Sequence, residues 1–554
     1  MTSESGPLHL QKWDVIVIGT GPGGGALGHA LASAGRKVLF CDAGGPLDGS
    51  MPPHQGRYPE LDPPRKGEVL TAADAELLRS AGRYFSTVVD TSHAGRPRSS
   101  VPFLGSGPGG SSALYGMAME RFAPEDFHSR TVGQADASAD LAPLEWPITY
   151  DELAPYYSAA ERLFGVRGDV DPLLHNRVTA DQHPDLLPPR PLSAAASEFA
   201  DHFRSRGMHP YRLPVANAGL GDCDACQSYL CARKCKYHAF NRTVEPALAK
   251  NGAAYLGGCQ VTDLVVEGKR VTKVRARRGG EDIELRAPLV VLAAGALQTP
   301  SILLRSRSTH FPDGLGNHSD LVGRCLMRHF VDLYVVKSPH GNTALDPRQK
   351  ELAFNDLYLD DGVRLGTFQS FGSLPPPPML MGSLKDDVSA SRFGWAAPLL
   401  PLARPILLPV LANMFQGAMI FATIAEDLPY KNHRVQPRDP TSLDVDLSYT
   451  VRPEGARRIA RFRQRVGGLL KGRSWRLLAQ AENNERMAHV CGTCRFGDDP
   501  ATSVLDRNNK VHGVDNVFVV DGSFFPTSGG TNPSLTIAAN ALRVGEWIVK
   551  GMPS

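Results

Sequence analysis

Asp14 to Gly44 reads DVIVIGTGPGGGALGHALASAGRKVLFCDAG, and the order of its parts decides the fold. Val15 to Ile18 is a short β-branched run of the kind a strand buried on both faces needs, and it stops at Gly19. Gly19-Thr20-Gly21-Pro22-Gly23-Gly24 follows, a match to G-x-G-x-x-G. In that pattern Gly19 permits the tight turn, Gly21 lets a pyrophosphate approach the backbone, and Gly24 lets the next helix pack close to the strand. Free N–H groups at the helix start would face the phosphates. Ala26 to Ala34 predicts the helix, Gly35 its stop, and Lys37 to Cys41 a second strand. That strand ends in Asp42, where a carboxylate is placed to accept ribose hydroxyls. Strand, helix, strand and acid in register imply an adenine dinucleotide bound to a Rossmann-like α/β domain.

At 554 residues the chain is too long for one core, so two domains or one heavily elaborated domain are expected. Lys and Arg number 60 against 57 Asp and Glu, with no long basic run, which excludes nucleic acid as a partner class. The first dozen residues hold neither an apolar core region nor twin arginines, so no signal peptide is expected and the protein reads as cytoplasmic. Its nine cysteines should then be reduced thiols or ligands rather than disulfides. Cys223, Cys226, Cys231 and Cys235 fall within one short segment, spaced C-x2-C-x4-C-x3-C. Four soft ligands that close suit an iron–sulfur cluster or a tetrahedral zinc, and thiols or disulfides without metal are the third reading.

Further on, Trp395 to Ile424 is apolar yet interrupted by Pro398, Pro401, Pro405 and Pro409. Each proline removes a backbone bond, which excludes a simple transmembrane helix and favours a buried segment or a lid, with a partner or membrane-surface contact as the rival. Pro375 to Pro378 is a stiff run. Val261 to Arg277 alternates as a hairpin turning at Glu267-Gly268-Lys269, and Leu289 to Leu304 reads as another buried strand and helix, with Thr299-Pro300 at the helix start.

Phe103 to Arg121, FLGSGPGGSSALYGMAMER, sets glycines and serines side by side, with Gly110 and Ser111 central. Such a backbone can lie flat against a large ligand. This stretch resembles the glycine-serine motif of the glucose-methanol-choline (GMC) oxidoreductases, and Asp14 to Gly44 resembles their FAD-binding start. Tyr115 stands where most members have Asn, and Leu114 where some carry a histidine that attaches FAD covalently, so the resemblance implies non-covalent FAD. His489 to Gly497, HVCGTCRFG, and Val519 to Arg543, VVDGSFFPTSGGTNPSLTIAANALR, resemble the family's catalytic block. The resemblance implies His489 and Asn532 as the catalytic pair, with Cys491 and Cys494 as a rival CxxC redox pair. It places Gly19, Gly21, Gly24, Asp42, Gly110, Ser111, Val261, Asp521, Gly522, Asn532 and Pro533 against the FAD, Val261 through a meander that reaches the adenine. In some sugar dehydrogenases of the family the Cys226, Cys231, Cys235 spacing holds an iron–sulfur centre.

The implied architecture is a Rossmann-like FAD-binding domain with a second α+β substrate domain, the GMC fold. The FAD part is expected in residues 12–150 (with a surface excursion over 46–100), 221–330 and 481–550, and the substrate part in 151–220 and 331–480. The implied reaction is oxidation of an alcohol by proton abstraction and hydride transfer to flavin N5. Sugars, polyols and the primary hydroxyl of an aminoglycoside intermediate are the implied substrates, with a steroid or long-chain alcohol as the rival suited to the apolar 395–424 stretch. The electron acceptor is oxygen or another carrier, the four cysteines favouring a dehydrogenase. A nicotinamide dehydrogenase and a flavin electron-transfer protein are the remaining alternatives.

Overall fold

A computed structural model describes residues 7–58, 70–92, 97–128, 139–175, 177–223, 225–250, 252–338, 350–372, 388, 395, 399–484 and 487–551. The proline run at Pro375 to Pro378 lies outside the described residues. The chain opens with β1 (Val15–Ile18), α1 (Pro22–Ser33) and β2 (Val38–Cys41), followed by α2 (Tyr150–Phe164) and the short β3 (Tyr211–Arg212). Next come β4 (Ala253–Leu256), a meander of β5 (Cys259–Glu267), β6 (Arg270–Arg278) and β7 (Glu281–Leu285), then β8 (Leu289–Leu292) and α3 (Gly295–Arg305). A second group holds β9 (Met327–Lys337), β10 (Leu352–Phe354), β11 (Gly366–Ser370), α4 (Leu400–Phe415), β12 (Ala418–Ala425) and β13 (Trp475–Leu478). The strands β14 (Ala488–Cys491) and β15 (Val517–Val519) and the long α5 (Ser534–Gly551) close the chain.

Two sheets organise these elements. A parallel sheet runs β15-β8-β1-β2-β4, with every residue of β1, β2 and β8 buried, as their continuous apolar runs require. Each such side chain removed from water stabilises the fold by roughly 1.5–3 kcal/mol. Helix α1 lies close on this sheet, for a Cβ added to Gly24 would strike the Gly19 carbonyl oxygen at 2.1 Å. Helix α2 starts at a Thr149–Glu152 capping box, stops at Gly165 with φ +60°, and joins α5 through Tyr157 Oη and Thr536 Oγ1 at 2.8 Å. An antiparallel sheet runs β13-β9-β12-β11-β10-β3, and β14 pairs with the start of β9. This second sheet takes strands from both stretches expected to form the substrate part.

Three expectations are corrected here. Residues 46–100 are not an irregular excursion throughout: Ala72–Ser80 is a helix, and Val88–Asp90 and Arg98–Ser100 join a sheet with Arg434–Pro437 and Val445–Ser448. Thr299-Pro300 does not start its helix, because α3 begins at Gly295 and carries Pro300 inside. The apolar 395–424 stretch divides in two. Its end, β12, is wholly buried, whereas α4 forms around Pro405 and Pro409 with no buried residue and leaves Leu402 79% and Ile406 72% exposed. Among the described residues no helix is long and apolar enough to cross a membrane.

Candidate active site

The glycine loop after β1 has one open side. A Cβ added to Gly19 would meet the Ala293 carbonyl oxygen at 2.2 Å and one on Gly23 the Val520 carbonyl oxygen at 2.0 Å, whereas one on Gly21 meets nothing within 4 Å. Space at the second glycine, beside the first N–H groups of α1, is what a pyrophosphate requires. Gly110 faces this loop, with an added Cβ 3.1 Å from the Gly21 Cα, while Ser111 Oγ accepts from the Gly105 N–H at 3.1 Å. Beside them, His238 Nδ1 is buried with no partner, and a Cβ on Gly109 would come within 2.5 Å of it. The cradle and the orphaned ring nitrogen fit a large planar ligand with hydrogen-bonding edges.

Asp42 stands at the end of β2, but its carboxylate is already engaged. It accepts from Thr20 N at 3.0 Å, Thr20 Oγ1 at 2.5 Å, Gly44 N at 3.2 Å and Gly107 N at 2.9 Å. It clamps the glycine loop to the Gly107 turn, so a ribose hydroxyl would have to take one of those places. Val261 lies buried on β5, whose first residue donates from Cys259 N to the Asp42 carbonyl at 2.8 Å. On the other side of the sheet Asp521 accepts from Gly295 N at 2.9 Å and Thr299 Oγ1 at 2.5 Å, and Gly522 opens a 3-10 turn. Pro533 precedes α5, its carbonyl taking the first helical bond from Ile537 N at 3.0 Å.

The predicted pair does meet. Between Met327↔Cys491 and His329↔Ala488 the pairing of β9 and β14 slips by one residue, and His489 sits in this bulge with φ +58°. A non-glycine residue costs about 1–3 kcal/mol there, and bulges re-aim side chains at active sites. The His489 ring is thereby turned between the two sheets, with Nε2 at 3.4 Å from Asn532 Nδ2 and Nδ1 at 3.1 Å from Nδ1 of His329. His329 Nε2 lies 2.9 Å from the Gly529 carbonyl oxygen, which can only accept. That nitrogen therefore carries the His329 proton, and Nδ1 its lone pair. The lone pair accepts from His489 Nδ1–H, which leaves His489 Nε2 as the free base facing the Asn532 amide. Burial, then the neighbouring His329 and Lys350, hold the His489 imidazole well below its ordinary value, so it is neutral at pH 7. Burial likewise holds His329 at about 4.

Around this centre the substrate sheet contributes polar groups that motif spacing did not indicate. Gln369 on β11 donates from Nε2 to Asn532 Oδ1 at 2.7 Å. Thr531 donates to Glu120 Oε2 at 2.8 Å, and Tyr211 Oη donates to the other carboxylate oxygen. Asn355 Nδ2 reaches Tyr211 Oη at 2.8 Å and Asp171 Oδ2 at 3.0 Å. Glu120, Tyr211, Asn355, Asp171 and Tyr358 wall a cleft of about 550 Å³, part of it open to solvent. Burial raises the carboxyls of Glu120 and Asp171 above the usual range, while it lowers the Lys350 ammonium to about 8.

The sequence and the fold around this site have relatives among known proteins. Two GMC oxidoreductase models match residues 193–331 and 434–541. Paromamine 6'-oxidase of Streptomyces fradiae is 30% identical over 96% of this chain and 90% of its own length. The chain belongs to the GMC oxidoreductase family. A second relative, 6'''-hydroxyparomomycin C oxidase of Streptomyces lividus, is 31% identical over 96% of this chain and 90% of its own. Pyridoxine 4-oxidase from Mesorbium loti shares the fold with a TM-score of 0.62 at 19% identity, covering 98% of this chain and 100% of that one. This GMC oxidoreductase is a FAD-dependent enzyme acting on alcohol groups.

The cysteine loop of this GMC oxidoreductase departs from expectation. Cys223 Sγ lies 3.3 Å from Cys235 Sγ, which lies 3.5 Å from Cys231 Sγ, and Cys231 pairs in turn with Cys226. Sulfurs around a zinc at about 2.3 Å would stand roughly 3.8 Å apart. Among the described residues no three His, Cys, Asp or Glu side chains are arranged to hold a metal ion, so the expected iron–sulfur centre or zinc finds no support. The thiol of Cys226 and nearby backbone N–H groups instead pull Cys231 toward the thiolate, beside the buried Lys236 ammonium. Cys491 and Cys494 are buried, and burial pushes both thiols up, away from the thiolate that a CxxC redox pair uses. Tyr115 donates to the Tyr237 carbonyl at 2.5 Å.

Proposed function

We propose that this enzyme oxidises a hydroxyl of an amino sugar, the primary hydroxyl of an aminoglycoside intermediate being the leading candidate. The observation that carries the reading is the cleft behind the catalytic segment. Glu120 and Asp171 line it, and among the described residues neither forms an ion pair. Buried carboxyls whose direct partners are hydroxyls and amides, with Lys350 and Arg177 acting on them only from beyond ion-pair distance, suit a substrate bearing ammonium groups. The relatives acting on paromamine and on a hydroxyparomomycin support the same class.

His489 Nε2 takes the hydroxyl proton, and Asn532 Nδ2 donates to the oxygen on which charge develops. The N-terminus of α5 adds partial positive charge on the same side. FAD, when bound, supplies the hydride acceptor. Gly19, Gly21, Gly24, Gly110, Ser111, Val261, Asp521, Gly522 and Pro533 are the residues that would hold it, together with Asp42. No step requires a metal at Cys223 to Cys235. For the steroid or long-chain alternative only β12 of the apolar stretch reaches the His329 end of β9, because α4 packs near the Lys337 end, about 26 Å along the strand from His329.

Anaerobic flavin bleaching tests the proposal with amino sugars, plain sugars, cyclohexylmethanol and a sterol. Amino sugars are expected to bleach the flavin at the highest kcat/KM. Bleaching by the sterol alone would sink the substrate class, and bleaching by none would favour an electron-transfer protein. Peroxide formation in air separates an oxidase from a dehydrogenase.

A further inference from the structure

The hydrogen bonds of the catalytic chain all run in one sense. Gly529 O accepts from His329, His329 from His489, His489 from Asn532 and Asn532 from Gln369. At one end the acceptor is a backbone carbonyl, which cannot reverse. At the other end is Gln369 Oε1, buried and without a partner on a residue that is 0% exposed. Two residues earlier on the same face of β11, Thr367 Oγ1 is also buried without a partner.

An amide keeps its shape when turned over but reverses its polarity. Turned over, Asn532 would set Oδ1 against the lone pair of His489 Nε2 and would present an acceptor to an oxygen losing its proton. The donor at Gln369 Nε2, 2.7 Å from Asn532 Oδ1, opposes that turn. Gln369 is itself an amide whose orientation rests on that bond, since nothing in the protein donates to its Oε1. A buried acceptor left dry is costly, and Gln369 Oε1 can only accept, whereas the Thr367 hydroxyl beside it can donate or accept.

We propose that Gln369 is a positioning residue that holds the Asn532 amide with its N–H toward the reacting oxygen, and that a second donor group of the substrate, a hydroxyl or ammonium, completes the chain at Gln369 Oε1. A polyfunctional substrate thereby tightens the geometry of its own oxidation. An alcohol with no second donor leaves the Gln369–Asn532 pair in its resting orientation but held by that one bond alone. The second half rests on the alcohol oxidation proposed above, and the first half does not.

Three measurements on the FAD-loaded enzyme test this, after circular dichroism and flavin content show that each variant is folded. Gln369→Met should slow flavin reduction by about 10- to 100-fold, the range for losing one bond to a positioned polar group, but by no more than about 2-fold in an Asn532→Ala background. A loss of the same size in both backgrounds would overturn the positioning role, since a merely structural defect does not depend on Asn532. The ratio of kcat/KM for glucosamine over cyclohexylmethanol should fall at least about 10-fold in Gln369→Met. An unchanged ratio overturns the second donor. Nitrogen-15 NMR of histidine-labelled enzyme without substrate, with His489 assigned by its loss in His489→Ala, should show a single Nδ1–H form that becomes a mixture in Gln369→Met. An unchanged His489 signal overturns the positioning role even if no alcohol tried proves to be a substrate.

Discussion

His489 satisfies three demands at one position: a backbone turned to φ +58°, a ring held neutral, and a proton fixed on the nitrogen away from the substrate. Replacing it by Ala removes the base and should slow flavin reduction by about 10²- to 10⁴-fold with FAD still bound. The pH dependence has a definite sign. Because burial holds the imidazole well below 6.5, the reactive form persists as pH falls through the usual histidine range and is lost only at lower values. Flavin reduction in stopped flow should therefore stay level from about pH 8 to about pH 6. A rising limb centred at 6.5 or above would contradict the buried, neutral assignment.

At the level of elements, the loop between β1 and α1 is fixed by Asp42 as much as by its glycines. Asp42→Ala leaves the N–H groups of Thr20 and Gly107 short of an acceptor, at about 1–3 kcal/mol each. The variant should lose FAD affinity, and the thermal midpoint of the FAD-free protein should fall as well. A midpoint that drops only in the presence of FAD would return Asp42 to a purely ribose-binding role. The loop itself was legible in the sequence because strand, turn and helix are local and their chemistry is contiguous. His489 and Asn532 were legible for the same reason, through the motifs around them. Gln369 was not, since nothing near it in sequence touches Asn532, although the alternation Thr367, Phe368, Gln369 already marks one polar face of a strand. His329 was not legible either, because its role depends on Gly529, two hundred residues on. The exposure of helix α4 was not legible, because apolar composition favours burial and does not reveal that the folded chain leaves it uncovered.

Across the whole molecule, the catalytic chain spans two layers. His489 lies on β14, paired to β9, and His329 and Gln369 lie in the antiparallel sheet itself, while Asn532 belongs to the segment between the parallel sheet's last strand and α5. FAD would contact the β1 loop, the Gly110 segment and the Asp521 turn, so its binding should register as global stability. Free FAD at 100 times its Kd is expected to add about 2.7 kcal/mol, seen as a concentration-dependent rise in the thermal midpoint. A midpoint indifferent to FAD would mean that these segments are held together without it.

The order of strands in the parallel sheet also sets a timetable for synthesis. Its outermost strand β15 pairs with β8, which precedes it by more than two hundred residues, and the base and the amide flank that last strand in sequence. At a translation rate of about 5–20 residues per second, β8 waits roughly 10–45 s on the ribosome with one apolar edge unpaired. A nascent chain of this enzyme is thus vulnerable to sticking to its neighbours late rather than early. Truncations that stop short of β15 should reach the insoluble fraction instead of yielding a smaller flavoprotein.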